Sequence, residues 1–208
     1  TDGVAEFDLT TQRFKTLLQG NVDAIYFNEK LYIGKREEVF VYNESTGNFD
    51  LYYHLAGKDI TLSCLHLDEK KNLWMGTTSN GLYCLSGDKK ISQPVTRGNI
   101  ASIYEDSSKE LWICTWEEGL YRIKTDSTIE NFRHDPKNPN SICADFVRSC
   151  CEDNAGNLWI GTFHGLNRYE KSTGKFQLYT ANANKPDGLT HSSIWCIVKD
   201  EHGTIWLG

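Results

Sequence analysis

The chain is 208 residues long, and 39% of its residues are hydrophobic and 12% aromatic, which is too much apolar material for a disordered segment. Its formal net charge of −6 argues against a nucleic-acid partner, because binding to phosphates requires a basic surface. Nowhere does the sequence reach the roughly 18 consecutive apolar residues of a membrane-spanning helix, so we expect no membrane contact within this segment.

An aromatic residue between two aliphatic residues recurs along the chain, in most copies followed by glycine. The copies are Leu31-Tyr32-Ile33-Gly34, Leu73-Trp74-Met75-Gly76, Leu111-Trp112-Ile113-Cys114, Leu158-Trp159-Ile160-Gly161 and Ile205-Trp206-Leu207-Gly208. Their aromatic residues are 42, 38, 47 and 47 positions apart, the length of four strands of about five or six residues with short connections. The spacing predicts five repeats over residues 1–208, centred on Tyr32, Trp74, Trp112, Trp159 and Trp206, with the first and last blades cut by the termini.

Each predicted repeat divides into four short strands, as the fourth repeat illustrates. Its first strand ends at the turn Asp153-Asn154-Ala155-Gly156-Asn157, and its second strand carries Trp159. Its third strand begins at Gly165-Leu166, and its fourth is Lys175-Phe176-Gln177-Leu178-Tyr179. Glycine and asparagine supply the positive φ of a tight hairpin turn, and no long stretch has helical periodicity. The pattern predicts an all-β fold, a β-propeller built of four-stranded antiparallel blades.

Two columns of the aligned first strands support this fold. We expect the first column to be small because it faces the crowded propeller axis, and the second to be apolar because it packs between blades. We expect the recurring tryptophans to fill the wedge between blades rather than to contact a ligand. The small column is Ala24, Cys64, Ser102, Ser149 and Cys196, and the apolar column is Ile25, Leu65, Ile103, Cys150 and Ile197.

No motif for catalysis or metal binding is present. The turn at Asp153 hints at a calcium loop, but it lacks the closing glutamate and recurs as an ordinary turn. There is no phosphate loop, nucleophile elbow or zinc helix. The seven cysteines have no CxxC spacing, which favours buried free thiols over disulfides. We therefore expect no catalytic residue, no metal and no cofactor.

The segment from Asn157 to Tyr169, Asn-Leu-Trp-Ile-Gly-Thr-Phe-His-Gly-Leu-Asn-Arg-Tyr, resembles the two-component regulator propeller repeat. The Thr-Gly-Lys-Phe at residues 173–176 and the His-Asp-Pro-Lys-Asn-Pro-Asn-Ser at residues 134–141 strengthen the resemblance. It extends over essentially the whole chain, and is weaker before residue 60, where Tyr32 replaces Trp and Val39 stands in the place of Gly. Cys114 also departs from the usual Gly.

Such repeats resemble those in the periplasmic sensor region of hybrid two-component system histidine kinases of gut Bacteroides-type bacteria, which detect glycans. The resemblance implies that the chain is part of a seven-bladed propeller, on the periplasmic side of the inner membrane as part of a membrane-anchored parent. It also implies an oligosaccharide ligand, contacts with neighbouring propeller or sandwich domains of the same polypeptide, and homodimerisation of the parent. The kinase would lie outside this chain.

Two other classes of function stay open at this point. One is a protein–protein interaction scaffold without a small-molecule ligand, and the other is a propeller enzyme such as a lyase, which needs an acid–base cluster near the axis that the sequence does not show. The architecture also has two readings. Both chain ends could complete one blade of a five-bladed ring, or the chain could be a segment of a larger propeller, which we favour.

Strand polarity predicts where a ligand would bind. The loops between second and third strands share one end of an antiparallel blade with the connections between blades, and variable loops on a rigid scaffold commonly bind ligands. The alternative for Trp116 and Phe163 is packing between blades. On that end we predict a candidate ligand-binding set of Trp116, Glu117, Glu118, Phe163 and His164 in the loops, with Arg148 and Trp195 at the heads of first strands.

Overall fold

The computed structural model of the chain describes residues 3–57, 59–87, 91–92, 96–182 and 188–208. Within those ranges the regular structure is entirely β, and there is no helix long and apolar enough to cross a membrane. The first ten strands are β1 (Gly3–Asp8), β2 (Arg13–Gln19), β3 (Ala24–Asn28), β4 (Lys30–Lys35), β5 (Glu38–Asn43), β6 (Asn48–His54), β7 (Leu62–Leu67), β8 (Leu73–Thr77), β9 (Leu82–Leu85) and β10 (Ile91–Ser92). The remaining strands are β11 (Ile100–Glu105), β12 (Leu111–Thr115), β13 (Leu120–Ile123), β14 (Ile129–Phe132), β15 (Val147–Glu152), β16 (Leu158–Thr162), β17 (Gly165–Glu170), β18 (Lys175–Tyr179), β19 (Ile197–Lys199) and β20 (Ile205–Leu207).

Four sheets each contain four strands in consecutive order, and all their pairings are antiparallel. We call them blade I (β3–β6), blade II (β7–β10), blade III (β11–β14) and blade IV (β15–β18). Strands β1–β2 form the N-terminal pair, and β19–β20 form the C-terminal pair, which is the start of blade V. The predicted all-β propeller of four-stranded antiparallel blades is confirmed. The two pairs are separate sheets, so the strands do not form the shared blade that a five-bladed ring requires.

A hydrogen bond between an aspartate and an indole closes the first hairpin of each later repeat. In blade III, Oδ2 of Asp106 accepts from Nε1 of Trp112 at 2.8 Å, and Oδ1 accepts the backbone N–H of Glu110 at 3.0 Å. We call this pair of bonds the Asp–Trp clamp. The carboxylate satisfies both a turn amide and the polar edge of the large ring, which lets the ring be buried. The same indole bond, 2.8 or 2.9 Å long, joins Asp68 to Trp74, Asp153 to Trp159 and Asp200 to Trp206.

The prediction that tryptophans fill the wedge between blades is confirmed where a following blade is present. Trp112 is fully buried, and Trp74 and Trp159 are half-buried. Trp206 is instead 61% exposed, because no strand covers that side of the C-terminal pair. Three of the four tryptophan rings therefore belong to the core.

The small column is explained by contact with the next blade rather than by crowding at the axis alone. In four of the five repeats the small residue pairs with the glycine that follows the aromatic residue, as Cys64 does with Gly76. A Cβ added to Gly76 would lie 2.4 Å from Sγ of Cys64 and 2.8 Å from Cγ2 of Ile100, in the first strand of the next blade. Cys114 takes the place of this glycine in blade III, where the smaller Val147 stands in the position of Ile100; both are fully buried in one cluster.

The prediction that Val39 replaces the glycine at the start of the third strand was wrong. Val39 pairs with Gly34 in the way that Leu82 pairs with Gly76, so it belongs to the leucine column and is fully buried. The loop between the second and third strands is one residue shorter in blade I than in blades II and III. The alignment of the repeats by their aromatic residues therefore placed Val39 one position too early.

All seven cysteines are free thiols in the structure. Cys114, Cys150 and Cys151 are buried, as expected of small apolar residues, whereas Cys196 is exposed on the open side of the C-terminal pair. The Sγ atoms of Cys114 and Cys150 lie 3.6 Å apart across the interface of blades III and IV.

Candidate ligand-binding site

The loop face is the end of the blades that carries the second-to-third-strand loops and the connections between blades. Backbone hydrogen bonds fix each loop to the connection that precedes its own blade: the N–H of Trp116 donates to the carbonyl of Asn99 at 3.1 Å, and that of Phe163 to Phe146 at 3.3 Å. The loop residues are therefore held at the start of the innermost strands, as their positions in the sequence predicted.

A β-bulge at the head of the innermost strand in blades II, III and IV orients the side chains there. In blade IV, Val147 pairs with Thr162 and Ser149 with Gly161, so Arg148 between them has no partner on β16. In the C-terminal pair the N–H groups of Trp195 and Cys196 both donate to the carbonyl of Gly208, at 2.7 and 3.1 Å. Ser63 and Ala101 occupy the bulge positions of blades II and III. A bulge turns one side chain out of the alternating pattern of its strand, and at Arg148 and Trp195 that side chain is long.

The structure brings four of the predicted residues together. The guanidinium carbon of Arg148 lies 4.0 Å from the ring centroid of Trp116 and 3.8 Å from that of Trp195. Phe163 lies 5.5 Å from Trp195, centroid to centroid. Phe146 joins the two sides, at 5.8 Å from Phe163 and 6.4 Å from Trp116. We call these five residues the arginine–aromatic cluster.

The cluster is a partly exposed platform built from three successive blades. Phe146 is 37% exposed, Phe163 40% and Trp195 54%, while Trp116 is half-buried. Each ring packs against a neighbour and keeps a substantial surface open, so the packing between blades and an exposed stacking surface coexist in the same side chains. Such a platform can stack against the apolar face of a ring-shaped ligand.

Arg148 differs electrostatically from the paired arginines of the chain. Arg122 bonds Glu110 and Arg133 bonds Asp145, and hydrogen bonding to those acids helps to raise the pKa of both guanidinium groups. Arg148 has no carboxylate partner among the described residues, and desolvation lowers its pKa from the ordinary value. Its charge is stabilised by the negative faces of two indole rings, a cation–π interaction.

The other three predicted residues lie outside the cluster. Oε2 of Glu118 accepts hydrogen bonds from the hydroxyls of Thr96 and Tyr121, which ties the preceding connection to blade III. Glu117 and His164 are exposed, and within the described part of the chain their side chains form no hydrogen bond or ion pair. The ligand-binding role of all seven residues stays a prediction.

Phe146 was not among the predicted residues. It is held by the connection at residues 133–146, in which Ile142 is fully buried and the N–H of Cys143 donates to Oδ1 of the buried Asn167 at 3.0 Å. An aromatic residue two positions before Arg148, at the end of a connection already assigned to the loop face, was the available signal. Within the described ranges no group of three or more His, Cys, Asp or Glu side chains could hold a metal ion.

The repeated four-stranded blades define a β-propeller protein. Residues 141–164 and 188–208 match the model of the two component regulator propeller family, which is the family that the sequence resemblance indicated. No curated protein matches the chain.

Solved structures of three kinds share the fold. Virginiamycin B lyase from Staphylococcus aureus is similar with a TM-score of 0.70 at 17% identity, over 89% of this chain and 62% of that chain. The extracellular domain of a protein described as a hybrid two component system of Bacteroides thetaiotaomicron has a TM-score of 0.57 at 22% identity, over 100% of this chain and 34% of that one. PorZ, a surface component of the type-IX secretion system of Porphyromonas gingivalis, has a TM-score of 0.64 at 12% identity, over 90% and 31%. The chain thus spans less than two thirds of the length of each of these relatives, and the likeness concerns the fold.

Proposed function

We propose that the chain is an extracytoplasmic sensor propeller of a two-component signalling protein, which binds an oligosaccharide on its loop face. The signal would pass to a kinase outside this chain. The observation that carries the proposal is the arginine–aromatic cluster, in which rings from three successive blades remain partly exposed beside one cation. Aromatic platforms with a few polar groups are suited to flat, ring-shaped ligands such as sugars.

The comparisons support the signalling part of the proposal. The matched repeats are those of two component regulators, and extracellular domains described as parts of hybrid two component systems share the fold at a TM-score of 0.57. The similar domains of those proteins are extracellular, which agrees with the proposed location. The chain's own part would be recognition, because its described residues hold no clustered acid–base set at the platform.

The test is a binding screen of the chain against a panel of neutral and acidic oligosaccharides by isothermal titration calorimetry. We expect saturable binding by at least one sugar, weakened about tenfold or more in Phe163→Ala, because a lost stacking contact of about 1.4 kcal/mol is a tenfold change in affinity. The melting temperature should change little, since Phe163 is 40% exposed. Phe14→Ala is the matched control, because Phe14 is 77% exposed on β2, outside the cluster.

Absence of binding by every sugar in the panel would overturn the proposal. So would binding that Phe163→Ala leaves unchanged while the chain loses about 3–5 kcal/mol of stability, which is the cost of removing a packed core ring. The second result would make these rings part of the interface between blades and the propeller a rigid relay.

A further inference from the structure

We propose that Arg148 selects a ligand that carries a carboxylate, so that the loop face prefers oligosaccharides containing a uronic acid over their neutral counterparts. This inference rests on the proposed function, and names the class of sugar that the same site would take. Its basis is the position of Arg148 between Trp116 and Trp195 and its lack of an acidic partner among the described residues.

The guanidinium group of Arg148 lies between two indole rings. The central guanidinium carbon lies 4.0 Å from the ring centroid of Trp116 and 3.8 Å from that of Trp195. Rings at this distance interact with the guanidinium through their faces and not through N–H bonds. Among the described residues none accepts a hydrogen bond from the N–H donors of Arg148, which leaves these donors available to a ligand.

A carboxylate is the acceptor that matches those donors. The guanidinium is planar and presents its N–H groups in a fixed fork, which a carboxylate accepts as two parallel hydrogen bonds. The group is also weakly hydrated compared with an ammonium group, so an anion displaces water from it at low cost. The two flanking rings hold the fork in one orientation, which reduces the side-chain entropy lost on binding.

The exposed rings beside Arg148 offer a surface for the rest of the ligand. Phe163 lies against Trp195 at 5.5 Å, and Phe146 against Phe163 at 5.8 Å, so exposed rings continue from the cation across the loop face. A pyranose ring stacked on this row would carry a carboxylate on its edge within the plane of the sugar. A uronic acid combines both features in one residue, whereas a neutral sugar offers only hydroxyls to Arg148.

The local charge of the cluster differs from the charge of the whole protein. The protein is acidic overall, with a net charge of −6, so general attraction for anions is absent and a preference for acids must come from a local group. Glu118 is engaged by Thr96 and Tyr121, and Arg133 is paired with Asp145. Arg148 is the cation of the cluster, and no carboxylate of a described residue pairs with it.

The experiment compares matched disaccharides with and without the carboxylate: digalacturonic acid against digalactose, and a glucuronic acid disaccharide against its glucose counterpart. Titration calorimetry on the chain should show at least one acid bound tenfold or more tightly than its neutral partner, with affinity falling as sodium chloride is raised. In Arg148→Gln we expect this preference to disappear, so that the acid and its neutral partner bind with affinities within about twofold of each other. Arg148→Lys should retain only part of the preference, because an ammonium group lacks the fork. Arg13→Gln, in exposed β2, is the control for net charge.

Equal affinity for acid and neutral sugar in the unmodified chain would overturn the inference and leave the proposed function standing. The same holds if Arg148→Gln lowers both affinities equally, since Arg148 would then only support the rings of Trp116 and Trp195. A preference for a sulfated disaccharide with no response to the carboxylate would also contradict it. If neither member of any pair binds, both the inference and the proposed function fail.

Discussion

His66 lies at the inner end of blade II, between its two neighbouring blades. Its ring meets Tyr26 of blade I edge-on at 5.4 Å, and its Nε2 lies 3.6 Å from a carboxylate oxygen of Glu105 in blade III. Burial lowers the pKa of His66 from its ordinary value of 6.5, although Glu105 and Asp68 oppose that shift. The neutral imidazole is therefore the form that the folded protein favours.

This residue predicts a pH dependence of stability. A histidine with a lowered pKa in the native state binds fewer protons than in the unfolded state, so the free energy of unfolding decreases as the pH falls below about 6.5. We expect urea unfolding curves to show a loss of stability between pH 7.5 and pH 5.5, and His66→Phe to show a smaller loss over the same interval. His202→Phe, at an exposed position, is the control. Equal pH dependence in the unmodified chain and in His66→Phe would contradict the assignment.

At the scale of strands and blades, most of the architecture could be predicted because each repeat buries the same alternating pattern. The strand order and the face that each loop occupies follow from antiparallel pairing alone. The bulges were not predicted, although the sequence carries a signal for them. At the head of an innermost strand two apolar residues are three positions apart instead of two, as at Leu62 and Leu65 or Ile100 and Ile103. An extra residue in the strand explains that spacing.

The site was only half predictable for a related reason. Polarity and loop position nominated Trp116, Arg148, Phe163 and Trp195, which do meet. Polarity and loop position cannot show which polar residues are already engaged in contacts that stabilise the fold. Glu118 was chosen for its charge, yet its carboxylate serves the interface between a connection and its blade, a contact between residues 22 positions apart.

The Asp–Trp clamp yields a prediction at the same scale, because it occurs in a buried and an exposed copy. Asp106 also bonds Nζ of Lys171 in blade IV at 2.7 Å, and its side chain is fully buried. Burial alone would raise the pKa of Asp106, but hydrogen bonds from Lys171 and Trp112 hold it below the ordinary value. Asp106→Ala should cost at least about 1–3 kcal/mol, the usual penalty for a buried donor left without an acceptor.

Asp200→Ala is the matched comparison, since its clamp closes on Trp206, which is 61% exposed and can bond water. We expect little change in stability there. Urea unfolding of both variants measures the difference, with the slope of each curve checked for two-state behaviour. Equal losses in the two variants would mean that the clamp stabilises the hairpin locally and that its burial between blades is irrelevant.

For the whole molecule, blade I and the C-terminal pair lie at the two ends of the row of blades. Each exposes a surface that in the other blades packs against a neighbouring blade. Leu65 and Leu67 of blade II are packed against blade I, whereas their counterparts Ile25 and Phe27 of blade I are 60% and 73% exposed. They line a groove of about 710 Å³ beside the N-terminal pair. At the other end, Val198 and Trp206 are 54% and 61% exposed, on the side where Trp74 and Trp112 contact the next blade.

These complementary ends predict head-to-tail association of the 208-residue chain. Two different surfaces that fit each other form a heterologous contact, which need not close into a dimer. We expect the mass measured by sedimentation velocity to rise with concentration, and either Phe27→Ser or Trp206→Ser alone to prevent the rise. A mixture of the two variants should form one-to-one dimers, because each retains the end that the other has lost. Leu51→Ser, at a residue 56% exposed on β6, should associate like the unmodified chain. If the chain stays monomeric at all concentrations and the two variants do not pair when mixed, the prediction is wrong. The surfaces at the two ends would then not bind each other.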